Sequence, residues 1–352
     1  MSLFQDAITN GTTTAGVHYN LTNRFEDNFD AAAKVGNPEA VFFIEMTAND
    51  GTNTIANANP GEMLNFPYAG PTTCCGFFQP TQDLVNSYRV DPNGLPYLDT
   101  YNQFPVKSDM NIASSAAFTP TDSLLDPRLD WTVGRRGLPY HDWGYHAGAI
   151  WQRDQGYAGP YSPKKMMFWK GTQDKYLDAH SWAPGTAINV NLIRFADVLL
   201  MNAECAAQLE NMNVATAMVN RVRDRMKNNP AEWLHKYKAG TTDFDPAVMA
   251  ANYKIGDYPV FKDKAFALKA IYFERKLELA EEGHRFFDLS RWGIADQVLN
   301  AFYAYEVGVA KIPDLTGAHF TKGKNEYFPI PQRQIDLTLD GSTRLLTQNP
   351  GY

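Results

Sequence analysis

Phe273 to Gly293 reads FERKLELAEEGHRFFDLSRWG, and this stretch decides how the chain folds. Glu274, Glu278 and Glu282 recur every four residues, and Arg275, Leu279 and Arg285 interleave with them. Ile271, Tyr272 and Leu279 fall on the faces they share, so the spacing predicts a helix from about Lys262 to Glu282 carrying acids, bases and apolar side chains together. Charges beside an apolar face are costly unless paired. The expectation is therefore a part-buried ion network that fixes how two helices meet, an architectural device with no catalytic step attached. Gly283, free to take positive φ, reads as the stop. A further helix is expected from about Phe287 to Phe302.

Upstream, NVNLIRFADVLLMNAECAAQ at Asn189 to Gln208 places Leu192, Phe195, Leu199, Ala203 and Ala206 at helical spacing. Ala215, Met218, Val219, Val222 and Met226 repeat the pattern after a break at Asn211 and Asn213. Two such helices form an antiparallel pair of tetratricopeptide-like size, although the usual signature of that repeat is missing. Nearer the start, Leu21, Phe25 and Phe29 lie at helical spacing, and Ala40 to Met46 reads as a strand.

Residues 45–188 read differently. Gly, Pro, Asn, Thr and aromatics are scattered with little sustained period, apart from a helical patch at Gln82 to Tyr88. A compact domain rarely keeps so much irregular chain without a use, and loops on a rigid scaffold are where binding residues gather. Five of the seven tryptophans, Trp131, Trp143, Trp151, Trp169 and Trp182, fall here, with Tyr140, Tyr145, Tyr157, Tyr161 and Tyr176. An indole or phenol face suits the apolar face of a pyranose, while polar side chains nearby take the hydroxyls at its rim. Within GRRGLPYHDWGYH and just beyond it, Tyr140, Trp143, Tyr145 and Trp151, with His141, Asp142 and Arg136, are the candidate ligand-binding residues. The bland alternative is that these rings cement loops onto helices.

His141, Asp142 and His146 show no third or fourth ligand at a metal-site interval, so no metal site and no catalytic role is assigned to them. Glu278, Glu281 and Glu282 share one helix with Arg and Lys, whereas glycosidase carboxyls face each other across a bond at roughly 5–9.5 Å. They read as structural. No GxSxG, Walker or GxGxxG pattern is present.

Three motifs in order carry a family resemblance: the Asn189 to Gln208 helix, the Phe273 to Gly293 block, and the terminal YFPIPQ at Tyr327 to Gln332 with LTQNPGY at Leu346 to Tyr352. The chain resembles the SusD/RagB family of surface glycan-binding lipoproteins. CCGFFQPTQDLVNSY at Cys74 to Tyr88 and DPRLDWTVGR at Asp126 to Arg135 are similar to segments of one branch of it. The resemblance implies a mainly α fold, a tetratricopeptide-like helical scaffold with a long loop-rich, partly β segment. It implies a single domain of which 45–188 is the ligand face, 189–303 the scaffold and 304–352 an extended strap. Family members are longer and begin with a secretion signal and a lipidated cysteine. This chain opens MSLFQDAITN, and is expected to be the C-terminal portion of such a protein. The implied function is non-catalytic binding of oligosaccharide or polysaccharide at the outer membrane surface and delivery to a SusC-like TonB-dependent transporter. The implied membrane link is an N-terminal lipid anchor, with no cofactor. The alternatives are an assembly module without its own glycan site and a glycoside hydrolase.

Composition agrees with a neutral partner. A formal charge of −7 without a polybasic run argues against nucleic acid and against an anionic membrane surface. No apolar stretch approaches the roughly 18 residues of a spanning helix. Of three cysteines, Cys205 sits in a helical apolar pattern, and a bridge between adjacent Cys74 and Cys75 would be strained.

Overall fold

The computed structural model describes residues 1–72, 75–180 and 183–352, so the Cys74 pairing and Trp182 lie outside the described residues. The chain divides into two compact units, Met1–Glu282 and Gly283–Tyr352.

In the first unit the main elements are α1 (Ser2–Asn10), β1 (Ala40–Ile44), α2 (Gln82–Ser87), β2 (Val133–Gly134), β3 (Ser162–Pro163), β4 (Val190–Arg194), α3 (Phe195–Gln208), α4 (Met212–Lys227), β5 (His235–Tyr237), β6 (Phe244–Met249) and α5 (Lys264–Glu278). The helical core is built by α3, α4 and α5. Phe195, Leu199, Ala203 and Ala206 meet Ala215, Val219 and Val222 of α4 and Ala267, Ala270 and Ile271 of α5, all fully buried. The alanines on each helix let the backbones approach closely. Asn211 caps α4 by accepting from Val214 N at 3.3 Å, and Asp263 caps α5 by accepting from Phe266 N at 2.8 Å. Phe4, Ala7 and Ile8 of α1 pack onto this core.

The structure corrects the expected start of the first helix of the pair. Val190–Arg194 is a strand, paired antiparallel with β1, and the helix begins at Phe195, whose N–H donates to Glu39 O at 2.8 Å. Leu192 therefore leaves the helical face and stands exposed. β-Branched Val190 and Ile193 favour the extended chain, and β1 supplies the partner. Leu21, Phe25 and Phe29 form no helix beyond one 3₁₀ turn at Phe25–Asn28.

The predicted ion network exists, and its reach is wider than two helices. Arg128 Nη1 lies 2.6 Å from Glu274 and 3.1 Å from Glu278, while its Nη2 pairs with Asp126 at 2.7 Å. Arg194 meets Glu39 at 2.5 Å, Glu278 at 3.0 Å and Glu282 at 2.6 Å. Arg225 bridges Glu39 at 3.0 Å and Glu278 at 2.5 Å, Arg223 holds Glu274 at 2.9 Å, and Lys165 holds Glu282 at 2.7 Å. Five cations thus neutralise five carboxylates, all essentially buried. Burial opposes ionisation of Glu278, yet the guanidinium groups of Arg225, Arg194 and Arg128 outweigh it and hold the carboxyl well below the usual carboxylate range.

The network also explains why α5 stops at Glu278, earlier than expected. The carbonyl of Glu278 accepts from Lys165 Nζ at 3.1 Å and from Arg194 Nη2 at 3.1 Å, and that of Ala280 from Lys165 at 2.8 Å. Side-chain cations satisfy carbonyls that a continuing helix would have used. A turn follows in which Glu281 (φ 65°) and Gly283 (φ 82°) are left-handed.

The described residues of 45–188 contain only short pieces of regular structure, such as α2 and the β2–β3 pair. In the second unit α6 (His284–Arg291) and α7 (Ala295–Tyr305) replace the single expected helix, broken at Gly293 (φ 71°). Leu289, Ala295 and Phe320 form its small core, and a short α8 (Gln332–Leu337) follows the FPIP segment. The terminal residues pair with that segment: the Gln348 side chain exchanges two 2.8 Å hydrogen bonds with the Ile330 backbone, and Asn349 donates to Phe328 O at 2.7 Å.

Candidate functional site

The aromatic segment separates into rings used as framework and rings left at the surface. Tyr140 is fully buried, its hydroxyl donating to Pro163 O. Its ring lies where a side chain on Gly134 would come within 2.5 Å, so the β2 glycine is what admits it. His141 and His146 do not face each other. His141 Nε2 is 3.0 Å from Lys164 O. His146 accepts from Gly148 N through Nδ1 at 3.1 Å and so donates from Nε2 to Ser162 Oγ at 2.8 Å. Burial, and then the Lys164 ammonium, push both imidazoles down to about 3, so both are neutral at physiological pH.

Arg136 is spent on the carbonyls of Ile112, Ala113, Ser114 and Ala116, and Asp142 accepts from the backbone N–H groups of Lys170 and Gly171 at 2.7 and 2.6 Å. Trp143 is half-buried and donates to Phe168 O at 2.9 Å. Trp131, against Trp169 and Phe244, belongs to the core. These contacts stitch irregular chain together, because a loop without ladder hydrogen bonds must satisfy its carbonyls with side chains.

Among the described residues, rings stand in solvent at several places, Phe104 among them. Tyr145 stands edge-on over Tyr237, ring centres 4.9 Å apart, and is 47% exposed. The larger patch surrounds half-buried Trp151. Tyr68 N donates to Trp151 O at 3.1 Å, and Gly70 lies flat on the indole, where an added Cβ would come within 2.7 Å. Exposed Tyr68 and Phe77 flank the Arg153 guanidinium at 5.6 and 4.8 Å, and Tyr157 leans on Phe77. Phe78 is also exposed. Sequence reasoning named Trp151 but missed Tyr68, Phe77, Phe78 and Arg153. The signal available was an adjacent Phe pair after Gly76, inside a stretch with neither helical nor strand period, where apolar residues have no core face to occupy.

Among the described residues no three or more His, Cys, Asp or Glu side chains gather as a metal cluster, and no helix is long and apolar enough to cross a membrane.

The helical core carries a loop-borne aromatic face, and comparison with known proteins places the fold. The pattern of the SusD family matches residues 38–352, and the chain belongs to that family. Over 103 residues it is 37% identical to SusD-like protein P25 of Formosa agariphila, covering 29% of this chain and 15% of that protein. Among solved structures, a SusD homolog from Bacteroides thetaiotaomicron superposes with a TM-score of 0.58 at 20% identity, over 100% of this chain and 59% of the other. Surface glycan-binding protein A from Bacteroides thetaiotaomicron, in complex with laminarihexaose, gives 0.54 at 17% identity, over 99% and 58%. The fold is thus SusD-like, and the chain spans a little over half the length of these solved relatives and a smaller part of the curated one.

Proposed function

We propose that the protein binds oligosaccharide or polysaccharide without cleaving it, at the outer surface of an outer membrane, and passes it to a SusC-like TonB-dependent transporter. The observation that carries the reading is the patch around Trp151, where Tyr68 and Phe77 stand exposed with the Arg153 guanidinium packed against both rings. Rings of that kind stack on pyranose faces, and an exposed guanidinium serves the hydroxyls. Family membership supports the same class of ligand, as does a solved neighbour of like fold in complex with laminarihexaose. Tyr145 and Trp143 are the other proposed contacts, while Tyr140, His141, Asp142 and Arg136 hold the loop that presents them.

A shallow aromatic site of this kind gives about −4 to −8 kcal/mol, millimolar to micromolar, so capture relies on multivalent polysaccharide. The test is a glycan array followed by calorimetry on the responsive glycan. Affinity is expected to fall about tenfold in Tyr68→Ala and Phe77→Ala. Unchanged affinity in both, with loss in Tyr145→Ala, would move the site. An empty array alongside co-purification with the transporter would make the protein an assembly module.

A further inference from the structure

Arg153, the exposed cation of the ring patch, is held in place by more contacts than a surface side chain needs. Tyr68 N donates to Trp151 O at 3.1 Å, Gly76 N to Phe66 O and Phe77 N to Leu64 O at 2.9 Å each, and the Tyr157 hydroxyl donates to Gly76 O. These bonds tie the chain around Gly76 to the chain around Arg153. Gly76 is left-handed (φ 74°), and a Cβ there would come within 2.8 Å of Arg153 Cβ and 3.0 Å of Tyr68 Cβ, so glycine is what lets the two stems meet. The guanidinium then packs against the Phe77 ring at 4.8 Å and the Tyr68 ring at 5.6 Å.

What this cation lacks is an acid. Among the described residues no carboxylate stands within ion-pair distance of Arg153, and its one hydrogen bond runs from Nη1 to Cys75 O at 3.2 Å. Contact with rings consumes no N–H donor, so most of the guanidinium fork stays free. Asp154, next in the chain, is engaged by Gly156 N at 2.7 Å, and residues 64–78 contain no charged side chain. In the helical core, by contrast, Arg128, Arg194, Arg223 and Arg225 each meet carboxylates. We propose that the patch prefers acidic sugars, taking an oligosaccharide whose ring bears a carboxylate or a sulfate ester against Arg153. The proposal rests on the glycan-binding reading and narrows its ligand class. A pyranose stacked on Tyr68 or Phe77 can bring such a group to the guanidinium, where two N–H groups meet two oxygens at once. A neutral hydroxyl offers one oxygen and cannot use the fork. The formal charge of −7 belongs to the whole chain and is screened beyond about 8–10 Å at physiological salt, so the local cation sets the preference.

The test uses the purified chain and calorimetry with matched pairs: tetragalacturonate against its methyl-esterified form, and an O-sulfated galactotetraose against its desulfated form. The acidic member of at least one pair is expected to bind about tenfold tighter than its neutral counterpart, an advantage that shrinks as sodium chloride is raised. The pair that shows it separates carboxylate from sulfate. Arg153→Gln, at an exposed position, is expected to bring the ratio of acidic to neutral affinity to about one. Equal affinity within both pairs, or a ratio that survives Arg153→Gln, overturns the acidic preference and leaves the glycan reading standing. No binding by any of the four at millimolar concentration overturns both.

Discussion

The helical core and the ring-bearing loops both bury charge, with a different balance of partners. In the core, cation meets carboxylate: Arg128, Arg194, Arg223, Arg225 and Lys165 are matched against Asp126, Glu39, Glu274, Glu278 and Glu282. The loops contribute Asp126, Arg128 and Lys165 to that network and bury the Arg135–Asp130 pair, and their other buried charges meet backbone: Arg136 takes four carbonyls, Lys164 takes those of Asp130 and Pro139, and Asp142 takes two N–H groups. The difference follows from backbone bookkeeping. Helices satisfy their own amides and leave charges to pair with one another, whereas irregular chain must recruit side chains to satisfy its carbonyls. A loop rich in aromatics, Arg, His and Asp can therefore look like a binding site and be in large part scaffolding.

The comparison can be broken first in the core. Glu278→Ala leaves three buried guanidinium groups short of a partner and is expected to cost about 3–5 kcal/mol in urea unfolding, and Arg128→Ala a similar amount. A loss under about 1 kcal/mol in both would show that the network is dispensable. The loops are probed by pH. His141 and His146 each have their pKa depressed to about 3, so the stability they contribute is present above about 6.5 and lost as pH falls from there toward 3. Each contributes a slope of about 1.4 kcal/mol per pH unit in that window. Glu26 and Asp109, pushed up to about 7 and about 6 by burial, act with opposite sign, their share being lost as pH rises, so the bulk curve is a sum. The diagnostic quantity is the difference in slope between wild type and His146→Gln between pH 6.5 and 5. No difference would mean His146 is charged or exposed.

Smaller effects separate framework rings from surface rings. Tyr140→Phe is expected to lose about 1 kcal/mol with its hydrogen bond to the Pro163 carbonyl. Tyr68→Ala, Phe77→Ala and Tyr145→Ala are expected to leave the unfolding midpoint within about 0.5 kcal/mol while changing glycan affinity. A surface variant that unfolds the protein would merge the two classes.

Much of the scaffold was legible because helices repeat locally. The spacing of Leu199, Ala203, Ala215, Val219 and Ile271 reported buried faces, and the four-residue rhythm of Glu274, Glu278 and Glu282 reported charges that had to be paired. The partners were not legible, since Glu39, Asp126, Arg128, Lys165 and Arg194 arrive from separate segments at no fixed interval. The strand at Val190–Arg194 was hidden for the same reason: pairing with Ala40–Ile44 is a long-range contact that overrode a helical-looking Leu192. For the candidate site, composition pointed to the right segment but could not sort Tyr140 from Tyr145, five residues apart and equally aromatic.

By itself the sequence determined the mainly helical class, the family and the need for a buried ion network, because periodicity and charge spacing act within a few residues of chain. Tertiary structure alone decided which rings see water and which carboxylate, Glu281, is left without a donor. Exposure and pairing depend on what other segments place beside a residue, and irregular chain carries no period from which that neighbour can be read.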